Sequence, residues 1–539
     1  MVSFHVWDLP CCMYITSWAI FHILLGALQV SKTAIARRSI LIVAFDLYKA
    51  VNGAIALQNC SWFSPRAVLG WTRAVDEPRP RAALEERHGG KGKGCPVLSP
   101  LLFLTGLRDT YGGVFRLFVG SRPLIVLNTF EAVREALVLK ADVFSDRPSV
   151  PIVVMITRKK GVIFAPYGPV WKEQRKFSLS TLRYFGVGRH SLEPKIIDEL
   201  KFIKEEILKH GKDPFNPFPI IRNGVSNVIC SMTFGKRFDY EDTEFKTMLK
   251  NMARALELSV NSSVMLVNVC PWLYYLPFGP FRELRQTELD ITAFLKKIIA
   301  QHRDTLDVAN PRDFIDMYFL HAEEEKNKES SFNEEYLFFI IGDLFIAGTD
   351  TTSNTLLWCL LYMSLYPEVQ EKVHTEIEAV LGCDKVPSLT HKAQMPFTEA
   401  TIMEVQRMTA VVPLSIPRMA SETAVLQGYV IPKGSVIVPN LWSVHRDPNI
   451  WEKPDDFQPT RFLDENGQLI KKETFVPFGM GKRVCMGEQL AKMELFLIFA
   501  SLMQSFTFLY PENATKPSME GRFGLTLAPC PFKLIALKR

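Results

Sequence analysis

The stretch from Asn333 to Pro367, "NEEYLFFIIGDLFIAGTDTTSNTLLWCLLYMSLYP", limits the possible folds more than any other part of the chain. Its apolar residues keep helical spacing throughout, and Pro367 ends the pattern because proline has no N–H to continue the ladder. A helix that is apolar on every side is stable only in the core of a large protein or in a bilayer. Asp343 and Asp350 argue against the bilayer, where carboxylates are costly. What remains is a large domain of packed helices. Leu192 to His210, Phe245 to Leu258 and Leu284 to His302 show the same three-and-four spacing of apolar residues. Strand-like runs are fewer and short, "VFRLFVG" at 114–120 and "SVIVPNL" at 435–441. The domain is therefore expected to be mainly α with a small β part, without an internal repeat. Within the long helix, "AGTDTT" at 347–352 predicts a local opening with room for water. Gly348 weakens the helix there, and threonine hydroxyls compete for the carbonyl one turn back.

At 539 residues the chain is too long for one small core, yet no polar hinge divides it into independent globules. Hydrophobic residues make up 47% and charged residues 22%, a balance that suits a soluble-type domain carrying an anchor. Cys11 to Val30, "CCMYITSWAIFHILLGALQV", has no formal charge and is followed by Lys32, Arg37 and Arg38. Such a stretch is about long enough to cross a hydrocarbon core, and the basic flank belongs on the cytoplasmic side. Residues 1–38 are thus expected to form a retained membrane anchor, 39–100 a linker, and 101–539 the catalytic domain. The Pro-, Gly- and charge-rich text from Asp76 to Pro100 marks that linker, and its "GGKGKG" lacks the G-K-[ST] of a phosphate loop. The net charge of +6 is small and dispersed, which speaks against nucleic acid as a partner and leaves room for a basic patch facing an acidic protein or anionic lipid.

The ten cysteines contain no C-x-x-C pair and no repeated spacing, which speaks against a disulfide scaffold or a zinc ribbon. Asn59, Asn261 and Asn513 each open an N-x-S/T triplet, but these matter only in a secretory lumen, and the compartment reads as reducing and cytosol-facing. In such a compartment one thiol can be a nucleophile, a metal ligand or inert. Cys485 does not look inert. It sits in "FVPFGMGKRVCMG", 475–487, flanked by Gly479, Gly481, Gly487, Lys482 and Arg483. The apolar helix "EQLAKMELFLIFASLMQ" follows, so the sulfur lies near a helix N-terminus where backbone N–H groups favour a thiolate. A nucleophile would need a partner histidine that the sequence does not place.

The spacing Phe478-x-x-Gly481-x-Arg483-x-Cys485-x-Gly487 resembles the haem-binding loop of cytochrome P450 enzymes. The resemblance implies haem b with Cys485 as the axial thiolate to iron. It places Phe478 beside the sulfur, Gly481 and Gly487 where the loop approaches the porphyrin, and Arg483 on a propionate. Trp171 and Arg175, one helical turn apart in "WKEQR", are implied propionate partners, as are Arg147 and Arg418, the last at a position where many relatives carry histidine. Asp350 and Thr351 match the family's acid–alcohol pair, which delivers protons during oxygen activation. Glu404 and Arg407 of "EVQR" and Arg461 of "FQPTRF" match its structural Glu-Arg-Arg network. The family fold assigns Phe345, Ala347, Val411, Val412, Leu414, Leu525 and Thr526 to the substrate pocket.

The likeness runs from about Leu101 to Arg539 and is closest to microsomal family-two members of the U subfamily, through "FIAGTDTT", "WCLLYMSLYPEVQEKVH", "PNLWSVHRDPNIWEKP" and "GKRVCMGEQLAKMELFL". The first hundred residues depart from it and contain no "PPGP"-like hinge. The implied activity is a membrane-anchored monooxygenase that hydroxylates long-chain polyunsaturated fatty acids, such as arachidonic acid, at or next to the terminal carbon. A xenobiotic or steroid monooxygenase, a peroxide-isomerising haem enzyme and a non-catalytic haem sensor are the rivals. The implied partners are O2, a lipophilic substrate, the lipid bilayer, NADPH–cytochrome P450 reductase and cytochrome b5. Lys172, Lys176 and Lys482 are candidate contacts for an acidic reductase surface. The implied location is the endoplasmic reticulum membrane, facing the cytosol, with a mitochondrial membrane as the alternative.

Overall fold

A computed structural model describes residues 100–119, 122–326, 330–382, 385–512 and 514–539. The Cys11–Val30 stretch, its basic flank, the linker up to residue 99, Asn59 and Asn513 lie outside the described residues. Among those described, no helix is long and apolar enough to cross a membrane. The chain divides into two compact units, and every site residue lies in the larger, which holds residues 86–115 and 119–539.

Helices carry most of this unit: α1 (Pro100–Tyr111), α2 (Pro169–Tyr184), α3 (Glu193–Leu208), α4 (Pro217–Thr233), α5 (Thr243–Ser259), α6 (Gly279–Asp304), α7 (Phe314–Glu324), α8 (Glu334–Leu365), α9 (Pro367–Leu381), α10 (Pro396–Thr409) and α11 (Glu488–Ser505). Local signals fix several boundaries. Asn333 caps α8 by accepting from the Tyr336 N–H at 3.0 Å, and Pro367 closes α8 while opening α9 at its first turn. Asp242 caps α5 through the Phe245 N–H at 3.0 Å. Asn261, read as an N-x-S/T triplet, instead caps the short helix Ser262–Met265.

α8 is buried along most of its length, from Leu337 to Met363. It lies against α4, where a Cβ on Gly348 would come within 2.4 Å of Ile229 Cδ1. The expected opening at 347–352 is not there: α8 is helical from Glu334 to Leu365. The hydroxyls do back-bond, Thr351 to Ala347 O at 2.7 Å and Thr355 to Thr351 O at 2.9 Å, but the ladder stays intact. Gly348 serves the close approach of α4, a demand made by another element and therefore invisible to local propensity.

The β part is small: β1 (Val114–Val119), β2 (Arg122–Leu127), β3 (Arg418–Met419), β4 (Ala424–Leu426), β5 (Tyr429–Ile431), β6 (Val436–Pro439), β7 (Phe506–Leu509), β8 (Arg522–Phe523), β9 (Leu527–Ala528) and β10 (Ile535–Lys538). β6 runs parallel to β2 and antiparallel to β3, with Arg418 opposite Ile437. β8 and β9 form a hairpin in which Phe523 faces Leu527. Two hydrogen bonds tie that hairpin down: Leu527 N–H donates to Val411 O at 2.8 Å, and Trp358 Nε1 of α8 donates to Leu527 O at 3.0 Å. The turn at 524–526 is thereby held beside α8.

Candidate active site

Cys485 is set by a closed loop. Its N–H donates to Phe478 O at 3.1 Å, and the Phe478 ring lies under Lys492 Nζ at 5.6 Å. α11 begins three residues later with Gly487 as its cap. Gly481 has φ +76°, and a Cβ there would fall 1.7 Å from the Leu137 carbonyl oxygen of a π-helical turn, Glu135–Leu139. Its glycine is demanded by the chain's own packing. Gly487 differs: with φ −89°, it has only the Cys485 sulfur nearby, at 3.9 Å from a Cβ. The thiol is open to solvent on one side and crowded by protein on the others. Burial pushes its pKa up, while the Gly487 N–H and the Arg175 cation pull it back. Of the other described cysteines, Cys230 and Cys359 are buried, and Cys270 and Cys530 half-buried.

Arginines gather around this loop. Arg483 donates to Ser145 O, Val162 O and Ala165 O at 3.0, 3.2 and 2.6 Å, and lies over the Trp171 ring at 4.1 Å. Arg147 donates to Ile163 O at 2.7 Å and to Ile416 O and Pro417 O at 2.7 and 2.8 Å. Arg175 reaches Val484 O at 2.5 Å, and Trp171 Nε1 reaches Val162 O at 3.0 Å. Arg418 Nε and Nη1 are buried without any acceptor. Burial and the neighbouring Arg483 and Arg175 cations push Arg418 down to about 9. Burial likewise brings Arg483 down to about 10, and burial followed by Arg418 and Arg483 lowers Arg147 strongly. A buried cluster with this excess of positive charge calls for an anion.

Two of the residues whose carbonyls receive these arginines, Val162 and Ile163, are themselves held by Asp343, which sequence reasoning used only as an argument against a membrane span. Its Oδ2 accepts from Val162 N and Ile163 N at 2.7 and 2.9 Å. Burial raises it to about 6, against the two N–H groups and the Arg147 cation.

A second charged group is closed on itself. Glu404 takes Arg407 through two bonds of 2.7 and 2.8 Å and Arg461 Nε at 2.9 Å, and Arg407 Nη1 donates to His445 O and Pro454 O at 2.8 Å each. Glu404 and Arg407 are fully buried.

Asp350 and Thr351, adjacent in sequence, point to different partners. Thr351 bonds its own helix, as above. The Asp350 carboxylate accepts from Thr526 Oγ1 at 2.6 Å and Asn354 Nδ2 at 3.0 Å, and faces Arg222 Nη2 of α4 at 3.6 Å. Asn354 was legible as a partner four residues on; Arg222 had no sequence signal. Of the expected pocket residues, Val411, Val412, Leu414, Leu525 and Thr526 are half-buried, and Ala347 is exposed. Phe345 is not among them. It is fully buried, with Phe234 and Phe245 rings at 5.5 and 6.4 Å. Two residues along a helix turn through about 200°, so positions 345 and 347 cannot share a face. Lys172 and Lys482 both lie over the Tyr167 ring, at 5.0 and 5.2 Å, and Lys482 pairs with Asp142; Lys176 is exposed.

Comparison with known proteins adds three findings. A family profile described as Cytochrome P450 matches residues 98–536. The chain is 66% identical over 463 residues to human cytochrome P450 2U1, covering 86% of this chain and 85% of that one. It is 65% identical to the Bos taurus protein of the same name over 84% of this chain and 83% of that one, and 44% identical to human cytochrome P450 2J2 over 79% and 85%.

Proposed function

The chain belongs to the cytochrome P450 family, and from that premise we propose that Cys485 is its axial ligand and long-chain polyunsaturated fatty acids, such as arachidonic acid, its substrates. Membership brings haem with a cysteine thiolate and monooxygenase chemistry. The observation that carries the assignment to this site is the orphaned Arg418 guanidinium within a buried arginine cluster beside the Cys485 loop. The two propionates of haem b are carboxylates that fit that demand. Arg418, Arg147, Arg483 and Arg175 would hold them, with Trp171, whose one N–H is taken by Val162 O, stacked against Arg483, and Cys485 would ligate the iron as a thiolate. When bound, haem activates dioxygen so that one atom enters the substrate and the other leaves as water.

The protein supplies position, protons and shape. Asp350 and Thr351 sit on α8 as proton carriers. Ala347, Val411, Val412, Leu414 and Leu525 offer an apolar wall, against which each buried methylene contributes about 0.8 kcal/mol. An acyl chain would enter methyl end first and leave its carboxylate near the entrance, where water spares it the cost of burial. The fatty-acid reading rests on these apolar positions and on the likeness to the U subfamily. Electrons come from NADPH through cytochrome P450 reductase, docked over Lys172, Lys176 and Lys482, with cytochrome b5 as a second donor. Cys11–Val30 anchors the chain in the endoplasmic reticulum membrane.

Two experiments test this. Cys485→Ala is expected to lose the thiolate type of ferrous–CO spectrum; retention of it overturns the ligand assignment. Product analysis with reductase, NADPH and a graded series of long-chain acids is expected to give terminal and subterminal alcohols. Turnover of neutral drug-like compounds alone overturns the fatty-acid reading, and predominant mid-chain epoxides overturn the orientation.

A further inference from the structure

We infer that Thr526 is a positioning residue for Asp350, tying the substrate-facing hairpin to the acid that moves protons. The inference rests on the reading of Asp350 as that acid. Thr526 Oγ1 donates to Asp350 Oδ2 at 2.6 Å, the shortest of the three polar contacts to this carboxylate. The same oxygen receives Asn354 Nδ2 at 3.0 Å, and Asn354 Nδ2 also lies 3.3 Å from Thr526 Oγ1, so the three side chains form a closed triangle. Arg222 meets the other oxygen from α4. A carboxylate met from its own helix and from two other elements is held in one orientation, while the Thr351 hydroxyl bonds Ala347 O instead.

The hairpin is what makes this arrangement informative. Thr526 follows Leu525 in the turn between β8 and β9, and that turn is pinned to Val411 and Trp358 by the Leu527 backbone. Val411 and Leu525 are among the half-buried apolar positions of the proposed pocket. A ligand pressing on the turn therefore acts on the Thr526 hydroxyl, and through it on the direction in which Asp350 points. A charge-assisted bond of this length is strong enough to set that direction. The hydroxyl of Thr526 thus links pocket occupancy to proton delivery.

Thr526→Val keeps the shape and removes the donor; Thr526→Ser keeps the donor. With reductase, NADPH and arachidonic acid, Thr526→Val is expected to release several-fold more peroxide per product, with a displaced pH profile for product per NADPH. Thr526→Ser is expected to restore both. Independently of turnover, Thr526→Val should lower the melting temperature clearly more in the Asp350 background than in Asp350→Ala, where only the Asn354 contact remains to be lost. Normal coupling in Thr526→Val, or equal melting shifts in both backgrounds, overturns the role of Thr526. If Asp350→Ala itself leaves peroxide and product unaltered, the acid reading fails instead, and Thr526 falls with it.

Discussion

Among the described residues, the charge cluster around Glu404 and the one around Cys485 differ in how their charges are met. Around Glu404, every strong donor of Arg407 and Arg461 meets a carboxylate or carbonyl, and the negative charge sits between two positive ones. Around Cys485, four arginines crowd together, and two nitrogens of Arg418 have no acceptor at all. Burying a guanidinium without a counter-charge is expensive, so a cluster left open in this way suits an anion, whereas a closed one needs none. The distinction lies in charge and satisfaction together: two arginines share the Glu404 carboxylate, whereas four lie near the Cys485 loop and two nitrogens of one of them are unmet.

The largest effect should follow from opening the closed cluster. Glu404→Gln leaves two arginines without their charge partner and is expected to cost about 3–5 kcal/mol in denaturant unfolding, whether or not haem is present. Arg418→Leu should leave the haem-free chain at least as stable and speed haem loss. A Glu404→Gln chain that unfolds normally would remove the contrast.

A smaller effect separates two glycines of one loop. Gly481→Ala pays about 1–2 kcal/mol for a left-handed backbone and must also displace the Leu137 carbonyl, so haem retention and melting temperature should both fall. Gly487→Ala meets only ordinary contact with the Cys485 sulfur and should change melting temperature little. Equal losses in the two variants would mean that the ligand, and not the chain, selects glycine at both places.

These pairs also show where the sequence was sufficient. α8 was legible because its limits are local: the Asn333 side chain caps it and Pro367 ends it. Glu404 and Arg407 were legible as one face of one helix. Arg461, fifty-seven residues from Glu404, came only through resemblance. The expected opening at Gly348 failed because Ile229, on another helix, sets the need for glycine. Phe345 was misplaced although its spacing from Ala347 already put the two on different faces. The bond between Thr526 and Asp350 spans 176 residues and leaves no periodic trace.

The smallest effect concerns a third, closed pair. His302 Nδ1 bonds Ile298 O at 2.8 Å and Nε2 faces Asp313 Oδ2 at 2.8 Å, so both ring nitrogens are placed as donors. Burial pulls the imidazole down, but Asp313 and the Ile298 carbonyl outweigh it and leave its pKa raised. Its stabilisation is thus complete below the ordinary histidine value and is lost as pH rises through the folded value. Unfolding curves across neutral pH should show stability falling with pH in this chain and a flatter profile in His302→Gln; identical slopes would remove the charged pair.

The open cluster is tested most directly by comparing binding of haem b with that of its dimethyl ester, in which both carboxylates are neutralised, to the haem-free chain and to Arg418→Leu. If the arginines await those carboxylates, the ester binds the unaltered chain much more weakly than haem b does, and Arg418→Leu narrows the difference. Equal affinity for both forms in the unaltered chain would contradict it.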